Sequence, residues 1–168
     1  MRGSVHLYQR SHINTDEIIP ARYLNVHDEV LLAEHAMEDL DPEFAYKVQP
    51  GDFVVAGDDF GCGSSREHAV WALRGAGIRA VLADSFARIF YRNAVNNGFY
   101  PIEIKGISEM VSPGDQLDID VESGVVKNLT KNEEYRFPPF TPFVQKIIAA
   151  GGYLNVLRKQ ASGSSRSK

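Results

Sequence analysis

From Phe60 to Leu73 the chain reads FGCGSSREHAVWAL. Two glycines, the adjacent Ser64 and Ser65, the single cysteine Cys62 and the pair Arg66–Glu67 stand directly before an apolar run of helical character. Ser64 and Glu67 have the S-x-x-E spacing of a capping box, in which each side chain satisfies a backbone donor of the other. Gly61 and Gly63 then supply tight-turn backbone. Arg66 fits that reading badly, because a cation is disfavoured at the positive end of a helix. The same helix end attracts carboxylates and phosphates. With Arg66 and two hydroxyls added, it becomes an anion pocket that carries a nucleophile or a base. Capping and chemistry are compatible, and both stay open. Among the chemistries, a serine-hydrolase elbow needs G-x-S-x-G, which GCGSS does not supply. A thiol protease built on Cys62 needs a His–Asn pair downstream that the sequence does not signal, and a phosphate loop needs a lysine that is absent. Proton abstraction beside a bound carboxylate remains.

Such a turn has to be held by a scaffold, and the centre of the chain supplies a strand–helix alternation. Phe53–Ala56 reads as a buried strand after the turn signal Pro50-Gly51. A helix from about Ser65 to Arg74 is closed by Gly75 or Gly77. The apolar IRAVLA is the next strand, SFARIFYRNAVNNG the next helix, and YPIEI the strand after it. This β-α-β-α-β order calls for parallel pairing with right-handed crossovers. Upstream, Val5–Tyr8 reads as a first strand, and a long polar loop leads to a helix over Glu29–Met37. Pro42 marks a helix start. After Gly106 the segment DQLDIDVESGVVKNLTKNEEYRF alternates apolar and polar residues and reads as antiparallel strands. TPFVQKIIAAGG reads as a closing helix. The expected fold class is α/β: one domain of mixed sheet with helices packed outside.

Composition restricts the rest. A chain of 168 residues, 43% hydrophobic and 24% charged, has the make-up of a single globular domain. Net charge is -4 with no basic stripe, so no nucleic-acid surface is indicated. No apolar run reaches membrane-spanning length, and MRGSVHLYQR lacks the apolar region of a signal peptide. One cysteine makes no internal disulfide, which suits a reducing compartment, and cytoplasm is the expected location. Nor does one cysteine hold an iron–sulfur cluster or a cysteine-rich zinc site, so no metal is assigned to this chain. Neither terminal segment, MRGS or ASGSSRSK, is taken as part of the folded domain.

Three stretches in order, NTDEIIPARYL, GCGSSREHA and SFARIFYRN, closely resemble the small subunit of 3-isopropylmalate dehydratase, with the likeness running from Val5 to Asn155. That family corresponds to the mobile C-terminal domain of aconitase-type enzymes. The resemblance implies a swivelling-type domain over residues 1–155, with mixed sheets in barrel-like β/β/α layers. Residues 156–168 would follow as a disordered tail. It implies a dehydration–rehydration that interconverts 2-isopropylmalate and 3-isopropylmalate in leucine biosynthesis. A large subunit would carry a [4Fe–4S] cluster, and its open iron would bind the substrate hydroxyl. Carried over by position, Ser64 is the base that removes a carbon-bound proton. Ser65 and Arg66 are carboxylate ligands, and Arg66 can bind bidentately. The implied partners are that large subunit and a small dicarboxylate, with neither nucleic acid nor membrane.

In related proteins the stretch after RYL reads the substrate's variable group. Here it is YLNVHD, with Asn25, Val26, His27 and Asp28. No arginine is present, which disfavours a third carboxylate because it would be buried unpaired. Asn25 nevertheless stands where an apolar residue suits an isopropyl group. Small subunits of homoaconitase or of a methylated-malate dehydratase are therefore alternatives, as is a non-catalytic binding or structural homologue. Other residues near the motif are expected to be structural. Cys62 is a small neighbour of the site, and His68 is a packed or surface histidine. Asp58 and Asp59 bind local backbone N–H groups, Arg88, Arg92 and Asn93 tie their helix to nearby loops, and Asp16 shapes the cleft wall.

Overall fold

The computed structural model describes residues 1–164. The strands β1 (Arg2–Tyr8), β2 (Phe53–Ala56), β3 (Ala80–Ala83) and β4 (Tyr100–Glu103) lie side by side and parallel. Val5 sits beside Phe53, Val54 beside Val81, and Leu82 beside Ile102. Then β5 (Gln116–Asp120), β6 (Val125–Asn128) and β7 (Glu133–Arg136) form an antiparallel meander. The strand order is β4-β3-β2-β1-β5-β6-β7, a single mixed sheet. β1 is the joint: Arg2–Ser4 pair with β5, and Val5–Tyr8 pair with β2. The helices are α1 (Thr15–Ile18), α2 (Glu29–Ala33), α3 (Phe44–Lys47), α4 (His68–Gly75), α5 (Arg88–Asn96), α6 (Ile107–Met110), α7 (Pro142–Ala149) and α8 (Tyr153–Ser164).

The period-2 alternation of strands divides the core. Val54, Ala56, Val81 and Ala83 face one apolar layer with Leu32 of α2, Leu73 of α4 and Phe90 of α5. Phe53, Val55, Ala80 and Leu82 face the other, with Leu117 and Ile119 of β5, Val126 of β6 and Tyr135 of β7. The antiparallel half therefore curls over one face of the parallel half, and helices cover the opposite face. Both faces of β2 and β3 are buried, which explains their uninterrupted apolar runs. Each fully buried phenylalanine, such as Phe53 or Phe60, stabilises the fold by roughly 1.5–3 kcal/mol.

Several boundaries differ from the sequence reading. The first strand begins at Arg2, so the leading MRGS belongs to the sheet. A Cβ at Gly3 would fall on the carbonyl of Gly51, so the start of β1 accepts only glycine there. The helix expected over Glu29–Met37 stops at Ala33. Buried Met37 takes a left-handed φ of 60°, and its N–H donates to Ile18 O at 2.8 Å instead of continuing the helix. Past residue 155, the expected end of the domain, the chain continues as α8 to Ser164. Val156 is the reason: it is buried with Val95, Ile147 and Ile148, a small apolar cluster beneath α5, α7 and α8. The remainder of the expected disordered tail, residues 165–168, lies outside the described residues.

Candidate active site

The segments that follow β1, β2 and β3 stay zipped together past the end of the sheet. Gly57 N donates to Arg10 O (3.0 Å), His12 N to Asp58 O (2.8 Å), Gly61 N to Ile13 O (2.8 Å) and Thr15 N to Cys62 O (2.8 Å). On the other side Phe60 N donates to Ser85 O (3.1 Å) and Ala87 N to Phe60 O (3.0 Å). The glycine–serine turn is thus presented at the carboxyl ends of parallel strands, where open α/β sheets bind ligands. Gly61 is obligatory at its base: φ is 82°, and a Cβ would fall inside the Phe90 ring. Phe60, Phe86 and Phe90 lock this base, with Phe60 edge-on to Phe90 at 5.1 Å between ring centroids. The SFAR stretch therefore works through Ser85, Phe86, Ala87 and Phe90. The ties expected of Arg88 and Arg92 are not formed: both are exposed and, among the described residues, make no hydrogen bond or ion pair. Asn93 lends only its carbonyl, which accepts from Asn97 Nδ2 at 2.8 Å.

The capping box expected between Ser64 and Glu67 is absent. Arg66 N donates to Ser64 O at 2.9 Å, closing a tight turn that keeps the chain out of helical geometry until Glu67. α4 starts at His68, with Glu67 as an N-cap that makes no side-chain bond. The box forms instead at α1, where Asn14 Oδ1 accepts from Glu17 N (3.0 Å) and Glu17 Oε2 from Asn14 N (3.1 Å). Ser64 and Ser65 are exposed, and among the described residues neither hydroxyl has a partner. Beside them the Arg66 guanidinium forms an ion pair with Asp16 of α1. The Arg66 side chain is only 19% exposed while Asp16 is 58% exposed. Asp16, expected to shape the cleft wall, is the internal counter-ion of Arg66.

The stretch Asn25-Val26-His27 lies against the first turn of α4. Asn25 and His27 are exposed, and Val26 packs on the core. The His27 ring is 5.4 Å from that of His68, which in turn lies 4.9 Å from Trp71. Burial pushes the His68 imidazole below its ordinary pKa. His27 adds to that, and hydrogen bonding to the Leu24 and Val26 backbone opposes it. His68 is thus a packed residue, and it joins the serine motif to the segment expected to read the variable group. Its Nε2 and the Thr15 hydroxyl, which sits under Gly63, are buried without partners.

Cys62 is half-buried, and burial, then the neighbouring Asp59 charge, pushes its thiol up. The acidic pair does not cap backbone as expected. Asp58 Oδ1 accepts from Ser85 Oγ (3.1 Å), and Asp59 Oδ2 lies 2.9 Å from His12 Nδ1. Sequence reasoning passed over His12, because nothing local marks it; only the zipper between the two loops brings it to Asp59. A concavity of about 620 Å³ elsewhere, lined by Met1, Asp118 and Arg136 among others, contains no motif residue. The turn itself is open to solvent.

Residues 1–106 match the family model of the aconitase C-terminal domain. The chain is 54% identical over 156 residues to a 3-isopropylmalate dehydratase small subunit of Deinococcus deserti, covering 93% of this chain and 86% of that one. It is 48% identical over 158 residues to the small subunit of the same name from Endomicrobium trichonymphae, covering 94% and 96%. The crystal structure of a 3-isopropylmalate dehydratase from Methanocaldococcus jannaschii superposes with a TM-score of 0.93 at 41% identity, over 99% of this chain and 98% of that one.

Proposed function

The chain belongs to the aconitase C-terminal domain family and, within it, to the 3-isopropylmalate dehydratase small subunits, and from that premise we propose how its residues divide the work of the hydro-lyase. The enzyme isomerises 2-isopropylmalate and 3-isopropylmalate by removing and restoring water, a step of leucine biosynthesis. Ser64 is the base: its oxygen takes a proton from carbon as hydroxide leaves the adjacent carbon, and it returns that proton when water adds in the other sense. Ser65 and Arg66 hold a substrate carboxylate, with Arg66 giving the bidentate pair that fixes orientation. Asn25, Val26 and His27 face the variable group. The observation that carries this reading is the bare Ser64–Ser65–Arg66 turn at the carboxyl ends of the parallel strands, where two unpartnered hydroxyls directly precede an arginine ion-paired to Asp16.

Membership in the aconitase superfamily makes this an iron–sulfur type of enzyme in general terms. The residues present do not fit such a cluster, because Cys62 is the only cysteine and clusters are held by several thiolates. The cluster therefore belongs to a large partner subunit, which also closes the cleft. A serine hydroxyl is a weak acid that needs help to act as a base. Exclusion of water over the turn strengthens the field of Arg66 and the turn amides. No helix among the described residues is long and apolar enough to cross a membrane; for a metabolic enzyme of this kind we propose a cytoplasmic location.

Reconstitution with a cluster-loaded large subunit tests the assignment. The small subunit alone should be inactive. Ser64→Ala in the reconstituted enzyme should lower kcat by several orders of magnitude with KM nearly unchanged. Near-normal kcat in that variant would remove Ser64 from the chemistry, and turnover by the isolated chain would end the split-site reading.

A further inference from the structure

Outside the proposed reaction, one side-chain cluster is equipped to take a ligand of its own. Nδ1 or Nε2 of His12, a carboxylate oxygen of Asp59 and Sγ of Cys62 all lie within 4.8 Å of one another. We propose that His12, Asp59 and Cys62 form a binding site for a single zinc-class divalent ion, separate from any iron–sulfur cluster.

The backbone holds the three donors in place. His12 and Asp59 sit on adjacent segments whose N–H groups are fixed, His12 N on Asp58 O (2.8 Å) and Asp59 N on Ser85 Oγ (2.8 Å). Cys62 is anchored through its carbonyl, which accepts from Thr15 N at 2.8 Å. Both His12 (φ 58°) and Asp59 (φ 54°) adopt left-handed backbone, which brings their side chains together. The donors lie close enough together to share one ion, whereas a cubane cluster needs thiolates on separated irons. One imidazole, one carboxylate and one thiolate suit zinc or ferrous iron, with a fourth position left open. They do not suit magnesium or calcium, which require oxygen ligands throughout. The His12 side chain is 71% exposed and that of Asp59 41%, so the open position faces solvent. On binding, the ion takes the place of the His12–Asp59 hydrogen bond and displaces the thiol proton to water. The dication is then neutralised by the carboxylate and the thiolate, with His12 neutral. Occupancy would clamp the segment after β1 to the segment after β2, just before the serine turn.

Cobalt(II) is the probe, because it substitutes for zinc and reports its ligands. Titration of the purified chain should give one ion per chain, the intense visible bands of a four-coordinate ion and a thiolate-to-cobalt charge-transfer band. Zinc should displace the cobalt, and magnesium in excess should not. Cys62→Ser should abolish the charge-transfer band. His12→Asn keeps a residue type that tolerates left-handed backbone and should weaken binding by at least about tenfold, as loss of a ligand does when even its supporting contacts are worth 10–100-fold. Absence of the charge-transfer band in the unaltered chain would overturn the proposal. Equal cobalt affinity in the unaltered chain and His12→Asn would overturn it as well, and this exposed substitution does not threaten the fold.

Discussion

Replacing Gly61 with alanine should disturb the protein more than any surface change near the motif, through two separable effects. The backbone at Gly61 has φ of 82°, and an L-residue there costs about 1–2 kcal/mol. The added methyl would also enter the Phe90 ring, and overpacking of this kind costs roughly 1–3 kcal/mol. Together they predict a loss of about 2–5 kcal/mol. The Phe90 side chain is 2% exposed, so Phe90→Ala alone should cost roughly 3–5 kcal/mol through its cavity. In the double variant the clash with the Phe90 ring disappears, while the backbone part and the contact with the Cβ that alanine retains at position 90 remain. The double variant should therefore be more stable than the sum of the single losses by the ring's share of that cost, about 1 kcal/mol or more, as expected for residues in contact. Urea unfolding of the four proteins gives this coupling directly. Additivity to within about 0.5 kcal/mol would show that Phe90 does not confine Gly61, and that the aromatic cluster does not set the base of the serine turn.

Asn25→Arg would offer a third carboxylate a charge-assisted bond of about 1.5–3 kcal/mol, roughly 10- to 150-fold in kcat/KM. The reconstituted variant should gain on a tricarboxylate and lose on isopropylmalate, and a substrate ratio unchanged within about twofold would remove this stretch from substrate reading. Acid stability gives a further check. Burial raises the pKa of Asp52, but the His6 ring and the Gln49 and Ser4 amides outweigh it; in Asp115 the Asn128 amide, the Ser112 amide and Lys131 do the same, so both carboxyls titrate below their ordinary range. Their stabilisation is therefore complete above the unfolded carboxyl pKa near 3.9 and is lost as pH falls through the lower folded values. Asp52→Asn should flatten the acid limb of the urea midpoint plotted against pH, and an unchanged limb would remove Asp52 from acid unfolding.

The parallel centre of the fold is legible in the sequence because β2 and β3 are short apolar runs that follow glycine turns, and burial on both faces imposes that pattern. The boundaries that were not legible depend on distant partners. Arg2–Ser4 are polar or small and become strand only because β5 and Gly51 lie beside them. Residues 156–164 read as part of a polar tail, and one buried valine ties them down. The capping signal occurs twice, as N-x-x-E at Asn14–Glu17 and as S-x-x-E at Ser64–Glu67. Spacing alone does not separate them. The first forms because Thr15 N is already fixed to Cys62, and the second fails because the Ser64–Arg66 turn diverts the chain. The failed cap is informative about the site, since it leaves both serine hydroxyls without intramolecular partners.

On the roles proposed for Ser64 and Arg66, the pairing of Arg66 with Asp16 decides how the site is made ready. A charge about 4 Å from a reacting oxygen is worth about 1 kcal/mol in open water and about 4 kcal/mol at the effective dielectric of a covered surface. Covering the turn with a partner subunit therefore raises the leverage of Arg66 severalfold, but it would also bury a guanidinium already neutralised by Asp16. A substrate carboxylate resolves this by taking over from Asp16 as counter-ion, so that Arg66 exchanges one anion for another and is never buried unpaired. The exposures suit that exchange, because the half-exposed Asp16 can withdraw into solvent while the largely buried Arg66 stays in place. Closure without substrate would instead have to bury the Arg66–Asp16 pair, and the desolvation of both ions disfavours it, so the covered, water-excluded state asked of Ser64 is reached with the carboxylate already bound.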